Sequence, residues 1–236
     1  MNLMIVNFSG NVGKSTLAKY LFQPRLNDCK IYSVESVNEN EHEEDNIRGN
    51  ALGAILDDMV NHENCLLDVG SSNAETVISL LGKYGSSHED FDAFIIPVIA
   101  KKKVISDTVA TAEALIGLGV PSEKIIIILN QIDIDTDIPF QFDELKTQAN
   151  MGTLTFDEKL QIPTHDFFGR IAGTGKDFLD IITDEKDYAK IVRETPKEDS
   201  EALANAVLMR ALQRLASSLN KDFDIVFKAF EDKLKG

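Results

Sequence analysis

The sequence is poor in cysteine, has no long apolar segment and carries few basic residues for its acidic content. Two cysteines in 236 residues are too few for a disulfide framework. Cys65 lies within a predicted strand, which fits a reducing compartment. No apolar run approaches the roughly 18 residues that cross a bilayer, and the first strand begins so early that no signal peptide is expected. We therefore expect a cytoplasmic protein that does not bind membranes.

Basic residues are too scarce for a broad nucleic-acid surface. The chain has 24 lysines and arginines against 39 aspartates and glutamates, which gives a net charge of −15 at pH 7. Proteins bind DNA phosphates through clustered Lys and Arg side chains, and the compact cluster in this sequence is Lys101-Lys102-Lys103. We expect no strong direct binding to DNA, so any contact with DNA would pass through a partner protein.

The N-terminal stretch has the pattern of a phosphate-binding loop. Residues 3–6 form a short apolar run, the loop ends in Gly-Lys-Ser, and apolar residues then recur at helical spacing. Glycines let backbone N–H groups point at phosphate oxygens, Lys14 adds a positive charge, and Ser15 can ligate magnesium at the helix N-terminus. The residues that we assign to cofactor binding here are Gly10, Asn11, Val12, Gly13, Lys14, Ser15 and Thr16. The alternative interpretation is an ordinary turn between a strand and a helix.

A strand-end carboxylate follows about 50 residues after the Gly-Lys-Ser sequence. Residues 64–69 form a short apolar strand that contains Asp68 near its end. A carboxylate at the tip of a strand beside a phosphate loop contacts magnesium directly or through water. We therefore assign magnesium binding to Ser15 and Asp68. Ser71 or Asn73 could orient a water molecule, or either could cap the next helix.

Strands and helices alternate along most of the chain. Further strands are predicted over 30–34, 91–99, 124–129 and 162–166, with helices over 46–60, 74–81 and 104–118. Pro97 indicates that its strand ends or bulges there, and residues 133–160 give a mixed polar signal. This order predicts an α/β fold with a doubly wound, mostly parallel sheet.

The C-terminal segment predicts one long helix. Residues 195–198, Thr-Pro-Lys-Glu, have the pattern of a capping box with proline at the first helical position. Apolar residues then recur at Leu203, Val207, Ala211, Leu215, Leu219, Phe223, Phe227, Phe230 and Leu234. We expect residues 1–194 to form a nucleotide-binding domain and residues 195–236 a helical extension packed on it or on a partner. The aromatic end is the part that we expect to remain exposed, because one domain would struggle to cover the whole stripe.

Residues 9–16, Ser-Gly-Asn-Val-Gly-Lys-Ser-Thr, resemble the deviant Walker loop of ParA/MinD-type P-loop ATPases, Lys-Gly-Gly-x-Gly-Lys-Thr-Thr. Gly10 and the Gly-Lys-Ser-Thr end are kept, while Ser9 replaces the signature lysine and Asn11 replaces the second glycine. The resemblance implies ATP and Mg²⁺ as cofactors. In that family the signature lysine reaches the nucleotide of the partner across a dimer interface. A homodimer is therefore a candidate assembly, although Ser9 cannot supply that contact.

The resemblance extends to later strand ends. Glu35 stands where ParA-like proteins have the first acid of an Asp-x-Asp pair, and Val37 stands where they have the second. The family commonly places an asparagine against adenine at the position of Asn130, and a proline close to the base at the position of Pro163. The catalytic residues implied by this comparison are Lys14, Glu35 and Asp68. Because Val37 cannot polarise water, the resemblance implies weak hydrolysis.

Four segments, residues 7–14, 34–38, 68–73 and 87–92, are similar to the StbB family of plasmid stability proteins within that superfamily. This similarity implies a role in maintaining, positioning or transferring a plasmid together with a plasmid-encoded DNA-binding partner. Two functions remain open: a slow ATPase switch that hydrolysis resets, and an adaptor that binds nucleotide with little or no hydrolysis. A small-molecule kinase or amidoligase is disfavoured, because the sequence has no recognisable acceptor-binding constellation.

Overall fold

The computed structural model describes residues 1–34, 51–133 and 135–235. Within them the strands are β1 Asn2–Ile5, β2 Cys29–Val34, β3 Asn64–Val69, β4 Ala93–Val98, β5 Ile125–Ile132 and β6 Gln161–Pro163. They form a parallel sheet in the order β2-β3-β1-β4-β5-β6. The prediction of an α/β fold with a doubly wound, mostly parallel sheet is confirmed.

Helices follow most of the strands. They are α1 Lys14–Thr16, which continues as a π-helix over Leu17–Phe22, α2 51–59, α3 Ala74–Lys83, α4 Lys102–Leu118, α5 Ile138–Gln141, α6 Asp143–Asn150, α7 Phe167–Ile171, α8 Phe178–Ile182, α9 Tyr188–Glu194 and α10 Ser200–Lys235. Among these described helices, none has both the length and the apolarity that crossing a bilayer requires.

The central strands are covered on both faces, as their continuous apolar sequences require. Every residue of β3 and β4 is buried, and β5 is buried except at Gln131. Since β1 lies between β3 and β4, the segments that leave these strands emerge next to one another at the carboxyl edge of the sheet. The topology therefore brings the loop after β1 close to the end of β3.

Pro97 lies within the ladder between β4 and β5, where it pairs with Ile128. The strand ends one residue later, at Val98, so the predicted strand end is confirmed to within one residue, whereas the alternative of a bulge is wrong. On the other side, the last paired residue of β4 is Ile95, and the carbonyl of Pro97 accepts a hydrogen bond from Asn7 Nδ2 at 2.9 Å. Because β1 has already ended at this level, the missing N–H of the proline leaves no ladder hydrogen bond unmade.

The chain divides into two compact units. The sheet unit comprises Met1–Pro163 with Val226–Gly236, and the helical unit comprises Thr164–Ile225. The helical unit contains α7 to α9 with most of α10. Its interior includes the ring of Phe178, which meets Phe167 and Phe223 with centroids 5.5 Å and 5.8 Å apart.

Helix α10 begins at Ser200 and continues unbroken for 36 residues. The hydroxyl of Thr195 donates to the Ile191 carbonyl of the preceding helix instead of capping α10. The carboxylate of Asp199 accepts a hydrogen bond from the backbone N–H of Ala202 at 3.1 Å, so Asp199 is the N-cap. The long helix is confirmed, whereas the capping box at 195–198 was wrong.

The buried face of α10 differs from the predicted stripe in its first half. The buried residues are Ala206, Met209, Leu212, Ala216, Leu219, Phe223, Val226 and Phe230, whereas Val207 is 50% exposed. The aromatic end is not left exposed for a partner. In the sheet unit the rings of Phe227 and Phe230 meet Phe22 at 6.1 Å and 5.1 Å. The expectation was wrong because residues distant in sequence supply the covering rings.

We predict that Phe230→Ala lowers the free energy of unfolding by about 3–5 kcal/mol, because it removes a buried ring from its contact with Phe22. Val207→Ala on the same helix should change that free energy by less than about 0.5 kcal/mol, since the side chain is half exposed. Urea denaturation followed by circular dichroism measures both. Similar losses in the two variants would contradict the assigned face of α10.

Candidate functional site

The predicted phosphate loop runs from the end of β1 to the start of α1 at the carboxyl edge of the sheet. Its backbone enters the left-handed region twice, at Asn11 with φ of 58° and at Gly13 with φ of 91°. Helix α1 starts at Lys14, and the N–H of Leu17 donates to the Gly13 carbonyl at 2.9 Å. The segment therefore forms the strand–loop–helix arrangement that the sequence indicated.

Two glycines of the loop have close neighbours. A Cβ atom on Gly13 would overlap with Asn130 Nδ2, and one on Gly10 would lie 3.3 Å from Ser71 Oγ. Asn130 Nδ2 also donates to the carbonyl of Val12 at 2.9 Å. The structure thus places Asn130, near the end of β5, directly against the loop. Its predicted contact with adenine remains a prediction.

The loop lysine is held by backbone carbonyls. The Lys14 residue is only 8% exposed, and its ammonium donates to the carbonyls of Asn7 at 3.2 Å and Ser9 at 2.8 Å. Burial lowers the pKa of Lys14 from its usual range, and attraction to the Asp68 carboxylate offsets part of that effect. A phosphate beside this ammonium would provide a charged acceptor for its third donor.

Asp68 is buried at the carboxyl end of β3. In the parallel register it lies opposite Ile5 of β1 and Ser33 of β2. Because Ile5 is the last residue of β1, this register sets the carboxylate beside the start of the loop. The attraction between Asp68 and Lys14 follows from this placement.

The other predicted site residues occupy different surroundings. Gly10, Asn11 and Ser15 are exposed, Gly13 and Thr16 are half-buried, and Val12 is fully buried. Pro163 is exposed at the end of β6, opposite Ile132 of β5. Glu35 and Val37 lie outside the described residues. The structure therefore brings together the loop, Asp68 and Asn130, while Pro163 stands on the edge strand of the sheet.

Three consecutive residues at the start of the loop are hydrogen-bonded to α4, which the sequence did not reveal. The contacts are Asn7 Nδ2 to Thr108 Oγ1 at 2.8 Å, the N–H of Phe8 to Thr111 Oγ1 at 3.1 Å, and Ser9 Oγ to Asp107 Oδ2 at 2.5 Å. Both threonines are fully buried. The sequence signal that could have indicated these contacts is that Thr108 and Thr111 interrupt the otherwise apolar face of an amphipathic helix.

Asn73 joins two strand ends instead of capping α3. Its side-chain Nδ2 donates to the carbonyl of Val34 at 3.1 Å, and the same carbonyl accepts the N–H of Gly70 at 3.0 Å. Its side chain makes no capping hydrogen bond to the helix. Asn73 therefore fastens the end of β2 to the turn after β3, and the capping role considered for it was wrong.

The known proteins that resemble this chain do so through their fold. No protein-family model matches the sequence, and no curated protein sequence matches it. An McdA variant from Cyanothece in complex with ATP aligns with a TM-score of 0.53 at 13% identity, covering 98% of this chain and 96% of that one. McdA without nucleotide aligns with a TM-score of 0.51 at 15% identity, covering 97% and 98% of the two chains.

A protein assigned to plasmid partition in Borrelia burgdorferi, bound to AMPPNP, also aligns with this chain. Its TM-score is 0.50 at 14% identity, covering 89% of this chain and 98% of that one. At these identities the likeness establishes the shared fold. The sheet, the loop after its first strand and the long C-terminal helix thus define the ParA-like P-loop type of α/β fold.

We predict that Gly13→Ala destabilises the protein more than Gly152→Ala. Both glycines have positive φ, 91° and 77°, so both substitutions carry a backbone cost of about 1–3 kcal/mol. The added Cβ overlaps with Asn130 Nδ2 at position 13, whereas nothing lies within 4 Å of it at position 152. Urea denaturation of the two variants isolates the packing cost. Equal destabilisation would contradict the contact between Asn130 and the loop.

Proposed function

We propose that this chain is a ParA-type nucleotide-binding protein that binds ATP with Mg²⁺ through residues 9–16. The observation that carries the proposal is the placement of the Lys14 ammonium on the loop carbonyls with the buried Asp68 carboxylate nearby. The nucleotide complexes of two proteins with the same fold support ATP as the ligand.

The donor set fits a magnesium–triphosphate complex. Within residues 1–34, 51–133 and 135–235, no cluster of three His, Cys, Asp or Glu side chains could hold a metal ion by itself. Phosphate oxygens and water would therefore complete a coordination shell begun by the Ser15 hydroxyl and Asp68, as magnesium prefers. The ion would neutralise charge on the phosphates. Lys14 would contact the outer phosphates, and the loop N–H groups would cradle them.

Two residues near the end of the sheet would contact the base. Asn130 already lies against the loop through its bond to Val12, and an amide group has further donor and acceptor capacity. Pro163 ends the strand next to the one that carries Asn130. We propose that Asn130 selects adenine and that Pro163 lies close to the ring.

For the biological role, we propose that the protein maintains, positions or transfers a plasmid in the cytoplasm, together with a plasmid-encoded DNA-binding partner. The fold shared with a protein assigned to plasmid partition supports this role. The net charge of −15 supports contact with DNA through the partner instead of through this chain.

The alternative is an adaptor that binds nucleotide with little or no hydrolysis, and the surroundings of Ser9 favour it. Ser9 is 5% exposed, and its hydroxyl is bound to Asp107 of its own chain. Position 9 therefore does not extend towards a second subunit. Val37 further supports weak hydrolysis, since a valine cannot polarise water. A homodimer, if it forms, would need a contact other than a lysine from position 9.

Lys14→Ala should weaken magnesium-dependent ATP binding about 10- to 150-fold, because it removes a charge-assisted contact worth about 1.5–3 kcal/mol. Lys19→Ala is the matched control, since that lysine is exposed and lies beyond the loop on the same helical segment. Titration calorimetry with Mg-ATP measures both affinities. If Lys14→Ala binds ATP as tightly as the unmodified protein, the assignment of the loop fails.

Turnover separates the two proposed functions. In a single-turnover assay, ATP bound to the isolated protein should remain largely intact for minutes, whereas a typical enzyme turns over about ten times per second. Asp68→Asn is the control for contaminating ATPases, because any hydrolysis by this site should fall when the magnesium ligand is lost. An unaided rate near 1 per second that disappears in Asp68→Asn would contradict weak hydrolysis and rule out the adaptor.

A further inference from the structure

An exposed lysine is connected to the phosphate loop through a single carboxylate. Lys103 Nζ donates to Asp107 Oδ2 at 2.8 Å, and the same oxygen accepts the Ser9 hydroxyl at 2.5 Å. The carbonyl of Ser9 in turn accepts the Lys14 ammonium at 2.8 Å. Lys103 on α4 and Lys14 in the loop therefore belong to one hydrogen-bonded network.

The two ends of this network differ in their freedom to move. Lys103 lies in the first turn of α4 with a side chain that is 86% exposed, whereas the side chain of Asp107 is 24% exposed. Hydrogen bonds from Lys103 and Ser9 lower the pKa of Asp107, so the carboxylate is ionised at neutral pH. The loop fixes the carboxylate, while the lysine has a flexible stem and an ammonium with three donors.

The charge of Lys103 matters for nucleotide binding because the carboxylate that it contacts lies beside the loop. A charged carboxylate bonded to Ser9 opposes the approach of a polyphosphate, and a net charge of −15 adds to that repulsion. A triphosphate carries more negative charge than a diphosphate, so this repulsion weakens triphosphate binding more than diphosphate binding. A cation held on the same carboxylate cancels its charge and presents further donors beside the loop.

We propose that Lys103, positioned by Asp107, is a specificity-determining residue of the nucleotide site that favours the triphosphate over the diphosphate. This inference rests on the proposed function, since it requires that the loop bind nucleotide. Lys103 donates to the terminal phosphate from outside the loop, while Lys14 acts from within it. Asp107 is a positioning residue, because it orients the lysine and does not itself bind the nucleotide.

The test compares the affinities of the full-length chain for Mg-ATP and Mg-ADP by titration calorimetry. Lys103→Gln should weaken ATP binding about fivefold, the upper end of what one exposed ionic contact contributes, and should change ADP binding less than about twofold. Lys102→Gln is the matched control, because this neighbouring lysine is also exposed at the start of α4. It should leave both affinities unchanged. Thermal unfolding confirms that both variants are folded.

The possible results distinguish a failure of the role proposed for Lys103 from a failure of nucleotide binding itself. Equal weakening of ATP and ADP in Lys103→Gln, or an unchanged ratio of the two affinities, overturns the role of Lys103 and leaves nucleotide binding intact. The double variant with Lys103→Gln and Asp107→Asn should keep the reduced preference for ATP. A restored preference would show that Lys103 only neutralises Asp107, which overturns the phosphate contact. If the unmodified protein binds neither nucleotide, the proposed function fails and this inference fails with it.

Discussion

The conformation of the loop after β1 depends on the side chain of one buried residue, Asn7. Its Nδ2 donates to the Pro97 carbonyl of β4 at 2.9 Å and to Thr108 Oγ1 of α4 at 2.8 Å. Its Oδ1 accepts the N–H of Ser9 at 2.7 Å. A buried polar group left without a partner costs about 1–3 kcal/mol. These three bonds therefore fix the direction in which the chain leaves β1, and the loop conformation follows from it.

The position of Lys14 follows from that conformation. Its ammonium rests on the carbonyls of Asn7 and Ser9, and both carbonyls are set by the bonds that tie these residues to β4 and α4. The Lys14 side chain is thus oriented before any ligand binds. This preorganisation reduces the conformational entropy that is lost on binding. Asp68 is fixed separately by the parallel register of β1 with β3. Two independent constraints therefore place the cation and the carboxylate beside each other.

The sheet, the loop and the position of Asp68 could be predicted from the sequence because they rest on local signals. Apolar runs mark the strands, and Gly-Lys-Ser follows the first of them. The contact between Asn7 and Thr108 could not be predicted, since it joins residues that are 101 positions apart. Helices α5 and α6 were missed although Ile138, Phe142, Leu145 and Ala149 recur at helical spacing, because the segment is mostly polar and has a proline in its first turn. Asp137 caps α5 by accepting the N–H of Phe140.

In the C-terminal helix, the periodicity of apolar residues predicts the helix but not its buried face. The repeat of apolar residues correctly predicts a long helix, but several of its positions recur at every fourth residue, and such a row drifts around the helix axis. The buried residues instead alternate between steps of three and four, as from Met209 to Leu212 and Ala216. A capping box likewise competes with other polar residues nearby, and here Asp199 provides the cap. The local sequence alone therefore decides neither which face of α10 is buried nor which residue caps it.

Hydrogen exchange of the backbone amides, with and without Mg-ATP, tests most directly whether this loop is a phosphate site. If the N–H groups of residues 10–16 bind phosphate oxygens, their exchange should slow when Mg-ATP is added, together with that of the residues around Asp68. Exchange in the helical unit, at residues 164–225, serves as the internal reference. Unchanged exchange throughout residues 10–16 at saturating Mg-ATP would contradict the account.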